Sequence, residues 1–222
     1  MGQTISLRAG DGHRLGAYLA TPSGTPRGAL VVVQEIFGVN SHIRSLADGF
    51  AADGYLSIAP ALFDRVEAGI ELGYGAEDMQ RGRALKAASA DAPALQDIAA
   101  AIAHVQAAGR VAIIGYCWGG LLSWLAASAQ SKLAASVCYY GGGMPDRKDS
   151  VPRCPVLAHF GENDAHITLD GVASLQAAHP DITVHLYPAG HGFNCDQRGS
   201  FDASSAQLAR ERSLAFLRQH VG

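Results

Sequence analysis

The sequence predicts an α/β fold in which a mainly parallel sheet is covered by helices on both faces. Three observations predict it. Strand-like and helix-like segments alternate along the whole chain. Most strand-like runs, such as Ala29 to Val33 and Val111 to Ile114, are continuously apolar rather than alternating, the composition of strands buried on both sides. No repeat, low-complexity tract or linker interrupts the 222 residues, so one domain with a sizeable core is expected.

Thr4 to Arg8 and Leu15 to Ala20 flank Gly10-Asp11-Gly12 and read as an N-terminal hairpin. The turn-rich stretch Thr21 to Gly28 leads to the buried strand Ala29–Val33, with Gln34 to Asn40 as the loop at its end. Ser41 reads as the N-cap of a helix running to about Asp53, with Ile43, Leu46, Phe50 and Ala51 on one face. Tyr55 to Ala59 is a strand ended by Pro60, and Leu62 to Tyr74 is an irregular excursion. Glu77 to Ala87 and Ala92 to Ala108 are helical, the second with Leu95, Ile98, Ile102 and Val105 turned inward. After the strand at Val111 comes an apolar helix, Leu121 to Ser128, then strands at Leu133 to Tyr140 and Cys154 to Phe160. Leu169 to Ala178 is a helix, Ile182 to Tyr187 the last strand and Ala203 to Arg218 the final helix.

Composition excludes several classes of function. A net charge near −3 without a basic patch argues against nucleic-acid binding. No apolar run approaches the length of a membrane span, and Met1 to Ser6 lack the basic and apolar regions of a secretion signal, so a cytoplasmic protein is expected. Cys117, Cys138, Cys154 and Cys195 have neither paired nor metal-type spacing, which fits a reducing compartment; Cys138 and Cys154 read as structural. No histidine pair has ligand spacing and there is no phosphate loop or dinucleotide fingerprint, so neither a metal nor a cofactor is expected. Nothing in the chain specifies an oligomeric state.

The chemistry concentrates in four loops at strand ends, where ligands bind in open α/β sheets. Gly115-Tyr116-Cys117-Trp118-Gly119 follows an apolar strand and precedes a helix, the layout of a Gly-x-Ser-x-Gly nucleophile elbow with a thiol in the serine position. The helix N-terminus behind Cys117 favours a thiolate and, later, an oxyanion. Gln34-Glu35-Ile36, Gly161-Glu162-Asn163-Asp164 and Gly190-His191-Gly192-Phe193 supply carboxylates and an imidazole in the chain order nucleophile, acid, histidine. Spacing alone leaves Glu162 and Asp164 both open as the orienting acid. His166 reads as a solvated or capping residue, and His159 and His185 as packing histidines. Phe37, Phe63, Trp118, Tyr140 and Phe193 lie beside these loops, where they pack the core or line an apolar pocket.

On these motifs, together with Ala59-Pro60-Ala61-Leu62-Phe63, the chain resembles the dienelactone hydrolase family of α/β-hydrolases over essentially its whole length. The resemblance implies a triad of Cys117, His191 and Asp164, an oxyanion hole from the backbone N–H groups of Ile36 and Trp118, and a role for Glu35 in switching the thiol to a thiolate. It implies hydrolysis of lactones or small esters through a thioacyl-enzyme, with no cofactor, and a substrate site that includes Arg81 or Arg83 with Phe37, Tyr140 and Phe193. The family's carboxylate clamp is incomplete or rebuilt. Leu85 and Ala87 stand where a tyrosine would follow Arg81 or Arg83, and Cys195 stands four residues after His191 with Arg198 farther on. Two other readings keep the same residues: a broad carboxylesterase or thioesterase, and a thiol redox sensor or binder without turnover.

Overall fold

A computed structural model describes residues 2–222. Eight strands form one mostly parallel sheet, in the order β1-β2-β4-β3-β5-β6-β7-β8. The described residues divide into two compact units, one running to Val111 and including Val221, the other Ala112–His220 with Gly222.

In the first unit β1 (Gln3–Arg8) and β2 (Arg14–Ala20) form the expected antiparallel hairpin. β2 also pairs antiparallel with β4 (Leu56–Pro60), which runs parallel to β3 (Ala29–Val33). Every residue of β3 is buried, as its Ala-Leu-Val-Val-Val sequence requires. α1 (Ser41–Ala52) is capped by Asn40 rather than Ser41: the Asn40 side-chain oxygen accepts from the Ile43 N–H at 3.2 Å, so Ser41 is the first helical residue. α2 (Ala76–Ala88) and α3 (Asp91–Val105) follow, a short 3₁₀ turn ending the second.

The inward face of α3 departs from the expected one. Ile98, Ile102 and Val105 are buried, but Leu95 is only half-buried and Asp97 is fully buried instead. Asp97 is tolerated there because Arg65 grips both of its oxygens, at 2.7 and 2.8 Å, while also reaching Asp11 at 2.8 Å. That fork anchors the start of the irregular segment 62–75 to the helix and to the hairpin turn.

The second unit carries β5 (Val111–Tyr116) from Ala112 onward, α4 (Trp118–Ala129), β6 (Leu133–Tyr139), β7 (Val156–Gly161), α5 (Leu169–Ala178), β8 (Thr183–Tyr187) and α6 (Ala203–His220). β6, β7 and β8 are parallel neighbours. β7 begins two residues later than the sequence suggests, since Pro155 has no N–H for the ladder, although its carbonyl still accepts from Ser136. β6 ends at Tyr139 because Tyr140 turns into positive φ, at 36°. β8 is half exposed, as the last strand of the sheet should be.

Candidate active site

β5 is buried throughout and delivers Cys117 to the N-cap of α4. The turn is strained: Cys117 adopts φ 56°, ψ −115°, a conformation costing a non-glycine residue about 1–3 kcal/mol. Only a glycine fits two residues earlier, since a Cβ on Gly115 would stand 2.0 Å from the Gly119 carbonyl oxygen. The Cys117 N–H donates to the Tyr139 carbonyl at 3.0 Å, tying the elbow to the end of β6, and the Cys117 carbonyl accepts from Gly120 and Leu121 as α4 begins. Trp118, directly after Cys117, is the first residue of α4, so its N–H lies at the positive end of that helix.

The loops after β7 and β8 are stitched together through their backbones. Glu162 N–H donates to Tyr187 at 2.7 Å and Asn163 N–H to Ala189 at 3.0 Å. This ladder brings Asp164 to His191, whose Nδ1–H donates to Asp164 Oδ2 at 2.8 Å. The other carboxylate oxygen accepts from the His166 N–H at 2.8 Å, so both oxygens of a buried side chain are satisfied. Asp164 therefore meets the imidazole, while Glu162 is exposed; of the two acids left open by spacing, geometry selects Asp164. His166 is an exposed loop residue, its ring 5.2 Å from that of His191 and perpendicular to it.

Electrostatics around the imidazole favour its charged form. Burial opposes a charged ring, but hydrogen bonds to Asp164 and to the Cys117 thiol, with the charges of both, outweigh it and push the His191 pKa up to about 10. Burial likewise works against the Asp164 carboxylate; the bond to His191 overcomes it and holds the carboxyl below its ordinary value. Cys117, His191 and Asp164 thus form one connected line of thiol, ring and carboxylate.

Tyr140 packs edge-on against His191 with centroids 5.1 Å apart, and Phe193 packs on Tyr140 at 5.4 Å; both are fully buried. Beneath them His159 is a packing histidine. Its Nδ1 meets the Tyr187 hydroxyl at 2.8 Å and its Nε2 meets Ser213 Oγ at 3.0 Å, with Tyr139 at 2.8 Å from the same Ser213. Burial drives the His159 pKa well down, so it stays neutral. Cys138 and Cys195 are fully buried and Cys154 partly so.

In the first unit, Glu35 and Phe37 are buried at the end of β3, with Ile36 half-buried between them. Glu35 accepts from the Tyr74 hydroxyl at 3.2 Å. Tyr74 is the site residue that sequence reasoning missed: it lies at the end of the irregular excursion, and no periodicity or motif marks it. Arg81 is exposed and ion-paired with Glu67, and Arg83 is exposed. Among the described residues no helix is long and apolar enough to cross a membrane.

The profile of the dienelactone hydrolase family matches residues 15–221. A carboxymethylenebutenolidase of Pseudomonas putida is 35% identical over 96% of this chain and 94% of its own. A crystal structure from Klebsiella pneumoniae, provisionally described as a dienelactone hydrolase, is 31% identical, with a TM-score of 0.85 over 98% of this chain and 99% of that one. A dienelactone hydrolase-like promiscuous phosphotriesterase from metagenomic libraries, 20% identical with a TM-score of 0.81 over 100% of this chain and 99% of its own, shares the fold. The chain belongs to the dienelactone hydrolase family.

Proposed function

We propose that this dienelactone hydrolase-like hydrolase opens lactones or cleaves small carboxylic esters through a thioacyl intermediate on Cys117. The observation that carries the reading is the His191 ring, held 2.8 Å from Asp164 on one nitrogen and bonded to the Cys117 thiol. The thiol proton rests on His191 as a thiolate–imidazolium pair, in keeping with the raised pKa of the ring, and the thiolate forms a C–S bond to the substrate carbonyl carbon while the carbonyl electron pair moves to oxygen. The N–H groups of Trp118 and Ile36 receive that oxyanion; removing one such donor typically costs about 2.7–4 kcal/mol of barrier. Collapse expels the alkoxide, which takes the proton from His191; in a lactone it stays tethered to the acyl chain. A water molecule then gives a proton to His191 and attacks the thioester, releasing the acid and the thiolate. Asp164 fixes the ring tautomer and stabilises its charge throughout.

Glu35 takes the role that membership of the family implies, switching the thiol to its thiolate. Support for a lactone substrate comes from the name of the Pseudomonas putida relative. A carboxylate on that substrate has less support, because Arg81 is engaged by Glu67 and Arg83 faces solvent. Tyr140 and Phe193 contribute an apolar wall beside His191. The protein acts on a small molecule, as a single domain in the cytoplasm.

The test is p-nitrophenyl acetate and dienelactone hydrolysis with and without iodoacetamide, followed by mass spectrometry of the quenched protein. Thiol-sensitive turnover with an acyl group on Cys117 is expected. Lack of such turnover on every ester and lactone tried would favour a thiol sensor instead.

A further inference from the structure

We propose that Tyr74 is the positioning residue for Glu35, and that Asn40 sets the direction in which its hydroxyl donates. This rests on the reading of Glu35 given above.

The Asn40 amide is oriented by two independent partners. Its oxygen faces the Ile43 N–H at 3.2 Å, and a backbone N–H can only donate. Its nitrogen faces the Leu72 carbonyl at 2.9 Å, and a carbonyl can only accept. The same nitrogen lies 3.2 Å from the Tyr74 hydroxyl, so its remaining N–H donates into that oxygen. A phenol carries one proton. With Asn40 donating into the hydroxyl oxygen, the hydroxyl proton points away from that amide and is donated to Glu35 Oε2, 3.2 Å away. One oxygen of a fully buried carboxylate is thereby fixed in place.

The hydroxyl reaches Glu35 because segment 66–75 is strapped down behind it. Leu72 N–H donates to the Phe37 carbonyl at 2.9 Å, Gly38 and Glu71 form a β-bridge, and Arg44 pairs with Glu71. The Tyr74 ring packs on Phe37 with centroids 4.6 Å apart. Within this unit His42 also faces the carboxylate, a ring nitrogen lying within 4.8 Å of a Glu35 oxygen. The strap thus does more than cover the loop after β3: it places the donor that orients Glu35.

Tyr74→Phe keeps the ring and removes only the hydroxyl. Single-turnover acylation by p-nitrophenyl acetate is measured for the parent, Tyr74→Phe, Glu35→Gln and the double variant. Loss of the one hydrogen bond to Glu35 predicts about a tenfold slower acylation in Tyr74→Phe, with KM and melting temperature held. The double variant is expected to be no slower than Glu35→Gln alone. Asn40→Asp keeps the cap acceptor for Ile43 but loses both amide donors, and is expected to slow acylation in a chain whose Tyr74 is intact. Parent-like acylation in Tyr74→Phe, or losses that simply multiply in the double variant, would overturn the assignment. Parent-like acylation in Glu35→Gln, with Cys117→Ala inactive, would overturn both this inference and the role given to Glu35, while leaving the thiol chemistry standing.

Discussion

Gly161 approaches Ala189 so closely that a Cβ on it would stand 2.3 Å from the Ala189 carbonyl oxygen. These two residues sit where the loops carrying Asp164 and His191 leave β7 and β8, so their contact sets the spacing between those two side chains. Gly161→Ala forces the loops apart. Misplacing reacting groups by an ångström can cost about 100-fold, and a loss of that order in kcat is expected while the protein remains folded. Steady-state kinetics beside a thermal melt check it; an active alanine variant would show that the spacing is not critical.

Asp164→Asn keeps the shape of the acid and removes its charge. The amide can present its N–H to the ring and favour the wrong tautomer, and comparable substitutions lower kcat by about 10⁴-fold. The same variant should lower the His191 pKa, since the carboxylate holds it up. An NMR titration of the ring reads this directly, and an unchanged midpoint would remove Asp164 from the site.

The raised pKa of His191 also makes stability depend on pH. The ring moves from an ordinary 6.5 to about 10 in the fold, so the native state binds a proton that the unfolded chain would release. The resulting stabilisation is complete below about pH 6.5 and is lost as the pH rises through about 10. Denaturant midpoints should therefore fall across that window in the parent and fall less in His191→Gln. Parallel curves for the two proteins would refute the assignment.

Gly82 gives access to a group that side-chain truncation cannot reach. On α2 it lies against the loop after β3, where an added Cβ would stand 2.2 Å from the Ile36 carbonyl oxygen. Gly82→Ala must displace the peptide next to the proposed oxyanion donor. We expect kcat to fall by about 10²-fold, in the range seen for loss of one such donor, with a smaller change in KM. A fall in KM-type binding alone would argue against Ile36 as a donor.

Much of this was legible in the sequence, for physical reasons that differ by element. Ala29–Val33 and Val111–Tyr116 announce themselves because a strand buried on both faces must be apolar at every position. The elbow is readable because its geometry admits little but glycine at Gly115. Asp164 and His191 are readable as loop residues after successive strands. What the sequence hides are partnerships made in three dimensions. Asp97 looks like a solvent-facing residue until Arg65 arrives from a distant segment to neutralise it. Tyr74 looks like a loop aromatic, and the Tyr187–His159–Ser213 line joins residues from three separate elements. Asn40 and Ser41 are both good capping residues, and only the observed bond to Ile43 puts the cap of α1 at Asn40.

Besides the Glu67–Arg81 and Glu71–Arg44 pairs, the strap over residues 66–75 is fastened through main-chain groups, by Leu72 to Phe37 and by Asn40 to the Leu72 carbonyl, while Val66 and Ala68 are exposed. Fastenings of that kind are indifferent to which side chains the ribbon carries. Its outward positions can therefore be rewritten, by natural drift or in a directed library, without unsettling the line of sulfur, imidazole and carboxyl in the other half of the chain.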